Sequence, residues 1–337
     1  MESAQKQRSH FVRGLFLQLG VLPVLLLAAV IIFSLLSDQF LTDQNVVNLL
    51  RQSVYLILVS LGQMLALVTG GFDLSVGTIL AISSVVSAMV MSTMIASNPE
   101  AVWMAIVVGS LCGILAGTAI GLINGAGIAF LGVSPFIMTL GIQSVGFGLA
   151  LYLTGGVPVS GLPSEFGETL GFGSAFGIPI PVLVTLVCIA FFYVLMSRTA
   201  MGNHLLAVGG NAKAAALSGV NVKLSLLVAY LLCALACSVS GILLTARLES
   251  GESNIGGTVA LESIAACVIA GVSLRGGIGR VENVVLGAIF IGLVQNGMNL
   301  ASVGSYLQMV VLGILLIVAV VSDQVRYRII AGESRWS

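Results

Sequence analysis

The stretch 69-TGGFDLSVGTI-79 decides how this chain folds. An apolar run, Val54–Val68, precedes it, and a second, Val76–Met91, overlaps its end and continues beyond it. Glycine accepts the left-handed backbone that ends a helix, and Asp73 or Ser75 suits the cap of the next helix. The stretch therefore predicts a break between two apolar helices. Two interpretations remain open at this point: a capped turn near a membrane face, or a hinge beside a translocation path.

Composition places the chain in a membrane. Its 337 residues are 58% hydrophobic and 8% charged, whereas soluble domains carry about 25% charged residues. Long apolar runs also recur from end to end. The sequence predicts an all-α polytopic membrane protein forming one transmembrane domain, 1–337. Its ten apolar runs are Leu19–Leu36, Val54–Thr69, Val76–Ala96, Val102–Leu131, Phe136–Leu153, Pro181–Met196, Leu226–Thr245, Val259–Val272, Val284–Asn296 and Leu307–Val321.

Two of these runs, the eighth and the ninth, are too short for a perpendicular helix of roughly 20 residues. We therefore expect these helices either to extend into their flanking loops or not to span cleanly.

The distribution of charge predicts the orientation of the bundle. Eleven of the thirteen basic residues fall on one side of the arrangement, which the positive-inside rule assigns to the cytoplasm. The acidic loops Gly155–Pro181 and Arg247–Gly257 then face the other side. Ten spans put both termini in the cytoplasm, with an N-terminal tail at 1–18, a basic loop at 198–224 and a C-terminal tail at 323–337.

Several chemistries lack the residues that they require. The three lysines, Lys6, Lys213 and Lys223, do not follow a glycine, so the chain has no P-loop for ATP. With two histidines, His10 and His204, neither a metal cluster nor a catalytic triad can be assembled inside the membrane. We expect a chain that binds no metal or cofactor and is not an enzyme.

Glycines repeat at helical spacing in the fourth run, at 109, 113, 117 and 121. Small residues at this spacing let helices pack closely in lipid. The segment 121–135 also resembles 292–306 with one residue slipped, in helices predicted to run in opposite directions. Similar segments in helices of opposite direction fit an inverted repeat, a common plan of transporters.

The basic loop contains a short helix of its own. Asn211 can cap a helix over 211–217, and Ser218-Gly219 can end it. A helix outside the membrane, framed by Gly209-Gly210 and Gly219, is suited to docking another protein. A plain connector remains the alternative.

Taken in order, four segments resemble the membrane permease subunits of bacterial monosaccharide ABC importers. Residues 70–77 are similar to the family's GGIDLSVG, with Phe72 for the usual Ile, and 121–125 are similar to GLxNG. Residues 207–219 resemble the loop that docks on the ATPase. Residues 261–279 resemble ELxxIAA…GGxSLxGGxG, with Ala270 in place of a glycine.

This resemblance implies a set of partners. A second permease subunit would complete the pathway, a fused two-domain ATPase would bind ATP and Mg²⁺, and a periplasmic binding protein would deliver a monosaccharide, with no nucleic acid involved. The chain would lie in the bacterial inner membrane. The implied ATPase-coupling residues are Gly209, Gly210, Asn211, Ala214, Ala215, Ser218 and Gly219.

Two further groups of residues are candidates for function. The helix-break motif comprises Gly70, Gly71, Asp73, Ser75 and Gly77. An uncharged, hydroxyl-rich substrate suits a path lined by polar side chains, and the candidates are Asn124, Gln143, Glu262, Asn296 and Asn299. Each amide can instead form an interhelical hydrogen bond.

Two alternatives stand beside the sugar importer. A permease for branched-chain amino acids would belong to the same class with another substrate. An ion-coupled secondary carrier would work without an ATPase, but such carriers usually contain chains of buried carboxylates, and here Asp73 and Glu262 are isolated.

Overall fold

The computed structural model describes residues 22–330, and within them the chain is mostly helical. The N-terminal tail predicted at 1–18 lies outside the described residues. The elements are α1 Leu22–Leu36, α2 Asp43–Val68, α3 Val76–Ser97, α4 Val102–Leu131, α5 Pro135–Thr154, α6 Ser164–Phe166, a π-helical turn Gly167–Gly171, β1 Ser174–Ala175, β2 Ile178–Pro179, α7 Ile180–Arg198, α8 Ala200–Leu217, α9 Val222–Leu248, α10 Val259–Ile269, α11 Val281–Leu300 and α12 Ser305–Ile330.

Helix α9 is the central element of the bundle. It packs against α2, α3 and α4, and α2 is buried continuously from Ser53 to Val68. A helix that is apolar on all sides is typical of the interior of a membrane bundle. The outer helices α4, α5 and α7 instead expose large apolar side chains, such as Leu115 and Val187.

The glycine stripe of α4 makes the close packing that its spacing predicts. All four glycines, 109, 113, 117 and 121, are buried. A β-carbon on Gly113 would lie 2.6 Å from the Ser83 carbonyl oxygen of α3, and one on Gly121 would lie 2.6 Å from the Tyr230 carbonyl oxygen of α9. The stripe therefore brings α4 against two neighbours at once.

Seven helices, α2–α5, α7, α9 and α11, are long and apolar enough to cross a membrane. The described residues include three shorter apolar helical segments, Leu22–Leu36, Val259–Ile269 and Ser305–Val321. Each predicted apolar run thus corresponds to a helix, and the chain is an all-α polytopic membrane protein. A pair of two-residue strands, β1 and β2, is the small exception.

The two short runs differ from each other in the structure. The ninth extends into its flanks and becomes the 20-residue helix α11. The eighth stays short, because α10 has 11 residues, about 16 Å of helix. Before α10 the chain is irregular and packs beside α3: the Glu252 amide donates to Ser84 Oγ (3.0 Å). The segment Arg247–Gly257, which the charge distribution places on the side opposite the basic loops, is thus partly packed into the bundle, since Gly251 and Ser253 are buried.

The two ends of the bundle carry different structures. At one end, which we call the hairpin end, the π-helical turn packs on α9 near Ala246, and the strands β1 and β2 form a small hairpin. At the other, the α8 end, α8 joins α7 to α9. The C-terminal tail predicted to begin at 323 is helical at first, because α12 continues to Ile330.

Candidate functional site

The predicted break between α2 and α3 is present, and its geometry follows the glycines. Helix α2 ends at Val68, and Gly70 adopts a φ of 85°, a conformation that side chains disfavour. The Gly71 amide folds back to donate to the Ala66 carbonyl (3.1 Å). Ser75 occupies the cap position of α3 but makes no capping hydrogen bond. The break is therefore a helix end followed by irregular backbone.

A buried polar cluster holds this irregular backbone in place. Asp73 Oδ1 accepts from the Ser75 amide (2.8 Å) and from Ser75 Oγ (2.6 Å). Asn124 Nδ2 of α4 donates to Ser75 Oγ (2.8 Å). The Gln63 amide of α2, in the orientation that satisfies both of its atoms, donates to the Asp73 carbonyl (3.0 Å) and accepts from the Asp73 amide (3.2 Å). Three elements are thus tied together around one carboxylate.

The predicted short helix in the basic loop is also present. Helix α8 is interrupted at Asn211, whose φ and ψ are −162° and 99°. Asn211 Oδ1 accepts from the Ala214 amide (3.0 Å), which is the N-cap that the sequence predicts. The following turns are largely exposed, and Leu217 is 91% exposed. We call residues 212–217 the terminal helix of α8.

Glycines join α8 directly to the break. A β-carbon on Gly209 would overlap the Val68 carbonyl oxygen and lie 2.7 Å from the Gly277 amide nitrogen. That amide in turn donates to the Val68 carbonyl (2.9 Å). A β-carbon on Gly276 would lie 2.8 Å from both the Gly209 carbonyl oxygen and the Gly70 amide nitrogen. We call these four glycines, at 70, 209, 276 and 277, the glycine junction.

The glycine junction brings together three segments that lie far apart in the sequence. They are the break after α2, the end of α8 before its terminal helix, and the turn between α10 and α11. Contact is made backbone to backbone, without intervening side chains. Because such contacts have little slack, a displacement of α8 must move the break and the turn with it.

A second glycine contact lies at the start of α3. A β-carbon on Gly77 would overlap the Gly256 carbonyl oxygen, and one on Gly256 would lie 2.7 Å from the Gly77 carbonyl oxygen. Gly256 belongs to the irregular segment that precedes the short helix α10. The start of α3 and the segment before α10 therefore approach each other backbone to backbone at this pair, which we call the glycine crossing.

The five candidate path residues lie in different surroundings. Asn124 is fully buried in the Asp73 cluster. Asn296 pairs with Asn45, and Asn299 accepts from Gln308 (2.7 Å). Gln143 on α5 is partly buried, and Glu262 in the first turn of α10 accepts from Thr258 Oγ1 (2.7 Å). None of these hydrogen bonds joins two of the five, so they do not form one polar cluster.

The Asn45–Asn296 pair supplies a first prediction. Two reciprocal amide hydrogen bonds of 3.0 Å join α2 to α11, and both residues are buried. Asn296→Leu should lower the free energy of unfolding by about 1–2 kcal/mol, because the buried Asn45 Oδ1 then loses its donor. Replacing both residues by Leu should restore part of the loss. Denaturation of the purified chain measures both effects; unchanged stability with weakened substrate transport would assign Asn296 to the path instead.

Sequence reasoning missed several residues that shape these sites. Tyr230 lies fully buried against Gly71, and Gln63 bonds the backbone of Asp73. Each is an isolated polar residue within an apolar run, and this isolation is the sequence signal that could have identified it. Gly256 was overlooked because nothing in the local sequence shows which helix it meets.

Comparisons with known proteins agree with this architecture. Residues 45–320 match the family described as "Branched-chain amino acid transport system / permease component". The ribose import permease protein RbsC of Bacillus subtilis is 39% identical over 322 residues, covering 95% of this chain and 96% of that protein.

Two relatives from Escherichia coli give similar results. The D-allose transport system permease protein AlsC is 35% identical, covering 90% of this chain and 91% of that protein. The galactose/methyl galactoside import permease protein MglC is 38% identical, covering 91% and 94%. No solved structure matches the chain at a significant level. With relatives of this identity along nearly its whole length, the chain belongs to the permease family of bacterial monosaccharide ABC importers.

Proposed function

We propose that this chain is the membrane-spanning subunit of an ATP-driven importer, and that the terminal helix of α8 couples it to a partner ATPase. The observation that carries the proposal is the glycine junction. An exposed helix at one end of the bundle is connected through backbone contacts to the break after α2 and to the turn before α11.

The α8 end has the features of an ATPase docking surface. The terminal helix of α8 presents exposed Leu217, while Ala215 is buried. We therefore propose that this end faces the cytoplasm, in agreement with its basic residues. ATP and Mg²⁺ would bind to the partner, and its closure would push on α8 and shift the junction between two arrangements.

The hairpin end would then face the periplasm and receive a binding protein. Phe176 at the tip of the β1–β2 hairpin is 99% exposed. Exposed aromatic side chains are frequent anchors of protein interfaces. A second copy of the chain, or a related permease, would complete the pathway in the inner membrane.

The substrate is a monosaccharide, as indicated by relatives that carry ribose, allose or galactose in their names. A neutral sugar needs hydrogen-bonding groups along its path but no charge. Gln143, Glu262 and Asn299 remain our candidates for the path, since none of them is enclosed in the bundle core. Asn124 and Asn296, in contrast, are occupied with bonds between helices.

The second prediction tests this division of roles with two exposed residues at opposite ends. Leu217→Asp should weaken assembly with the partner ATPase by about tenfold, since burial of a leucine contributes roughly 1.5–3 kcal/mol. Phe176→Ala should leave that assembly unchanged and reduce stimulation by the binding protein. Both variants should match the wild-type unfolding temperature, because both side chains are exposed in the isolated chain.

The measurement uses the reconstituted complex in liposomes. ATPase activity is followed with the binding protein and a panel of pentoses, hexoses, polyols and branched-chain amino acids. A sugar that stimulates ATP hydrolysis and accumulates in the liposomes supports the proposal. Accumulation driven by an ion gradient without ATP, or stimulation by an amino acid alone, contradicts it.

A further inference from the structure

The Asp73 cluster contains more unsatisfied oxygen than a packed interior normally leaves. Asp73 Oδ2, Asn124 Oδ1 and the Tyr230 hydroxyl are all buried and have no hydrogen-bond partner among the described residues. Most buried polar atoms in proteins are hydrogen-bonded. Three exceptions on three elements, meeting at one helix break, therefore point to a missing occupant.

The three residues are neighbours at the break. Asp73 and Asn124 are linked through Ser75 Oγ. Tyr230 has its hydroxyl packed on Gly71, two residues before Asp73. The unpartnered atoms are thus contributed by the break, by α4 and by α9.

Charge decides what kind of occupant fits. Among the described residues, Asp73 is the only acidic side chain that is fully buried, and both hydrogen bonds that it accepts come from the uncharged Ser75. A buried carboxylate needs a compensating positive charge. A water molecule would donate hydrogen bonds to the oxygens but would leave the negative charge of Asp73 uncompensated. A proton on Asp73 would also remove the charge, and it is the alternative occupant that a comparison of salts distinguishes from a metal ion.

We propose that the Asp73 cluster binds one small monovalent cation of the sodium class. The carboxylate of Asp73 supplies the charge, and the Asn124 amide and Tyr230 hydroxyl supply neutral oxygen ligands. Irregular backbone at a broken helix adds carbonyl groups, which coordinate such ions in other membrane proteins. The ion would fix the break between α2 and α3, so it is a structural ligand and is not transported.

The test measures thermal unfolding of the full-length chain in lipid nanodiscs. Salt is varied at constant pH and ionic strength, with NaCl, KCl or LiCl replacing choline chloride. We expect the unfolding temperature to rise with one of these ions and to saturate, by about 5 °C at a hundred times the dissociation constant. Radioactive ²²Na⁺ should bind at one ion per chain. If K⁺ or Li⁺ is the preferred ion, it should displace the bound ²²Na⁺.

Three variants locate the site. Asp73→Asn should abolish the response to the ion, and Tyr230→Phe, which keeps the ring, should weaken ion affinity by about tenfold. If Asp73→Asn does not fold, Tyr230→Phe alone decides whether the ion binds at the Asp73 cluster. Ser87→Ala is the matched control, because its buried hydroxyl bonds its own helix at Ser84; it should retain the full response.

Two results would overturn the proposal. The first is an unfolding temperature that is the same in all salts. If that temperature rises only on acidification, the occupant is a proton. The second is an ion response that persists unchanged in Tyr230→Phe, which would place the ion elsewhere. Neither result bears on sugar import, so the two proposals are tested independently.

Discussion

Gly209→Ala should uncouple ATP hydrolysis from transport. A methyl group at this position would overlap the Val68 carbonyl oxygen and crowd the Gly277 amide, so α8 must move away from the break. The displaced atoms are backbone on both sides and cannot rotate aside, and overpacking of this kind typically costs about 1–3 kcal/mol. We expect sugar uptake per ATP hydrolysed to fall by about tenfold or more in reconstituted liposomes.

A glycine outside the coupling loop provides the control. A β-carbon on Gly141 of α5 meets no atom within 4 Å, so Gly141→Ala should support normal uptake with the same change of residue type. The two variants differ in whether the added methyl group touches the glycine junction. Equal uptake by both variants would show that the junction does not transmit movement from α8.

Gly77→Ala should destabilise the folded chain. The added methyl group would overlap the Gly256 carbonyl oxygen at the glycine crossing, and Gly256 has a φ of 86° that restricts its adjustment. We expect a loss of about 1–3 kcal/mol in unfolding free energy, seen as a lower unfolding temperature and a reduced yield of folded protein.

Gly257→Ala is the control for this second substitution. It lies one residue from Gly256, and its β-carbon meets nothing within 4 Å. The unfolding temperature of this variant should remain within about 1–2 °C of the wild type, as expected for exposed substitutions. If the Gly77→Ala variant is as stable as Gly257→Ala, the fold does not depend on the close backbone approach between the start of α3 and the segment before α10.

Much of the local structure could be predicted from the sequence. The break at Gly70 could be predicted from the glycines alone, because glycine adopts a positive φ without support from tertiary contacts. The same holds for the helix after Asn211, whose side chain caps its own backbone, and for the stripe of small residues in α4. These are features in which residues act on neighbours a few positions away.

The irregular segment before α10 could not be predicted in this way. Its acidic residues and glycines are typical of a loop, and the charge distribution places it on the side opposite the basic loops. The structure shows that Gly251 and Gly256 pack against α3 and that the Glu252 amide bonds Ser84, 168 residues away. Periodicity within a segment carries no information about such a partner.

What the sequence by itself determined is the class of protein, the positions of the apolar helices, the glycine break and the capped helix of α8. Each depends on hydropathy or on short-range backbone chemistry. Only the tertiary structure decided that Gly209, Gly70 and Gly277 meet, that Gly77 crosses Gly256, and that Asn124 and Tyr230 surround Asp73. These contacts join residues more than forty positions apart, and close packing of whole helices, rather than any local preference, determines which backbones come together.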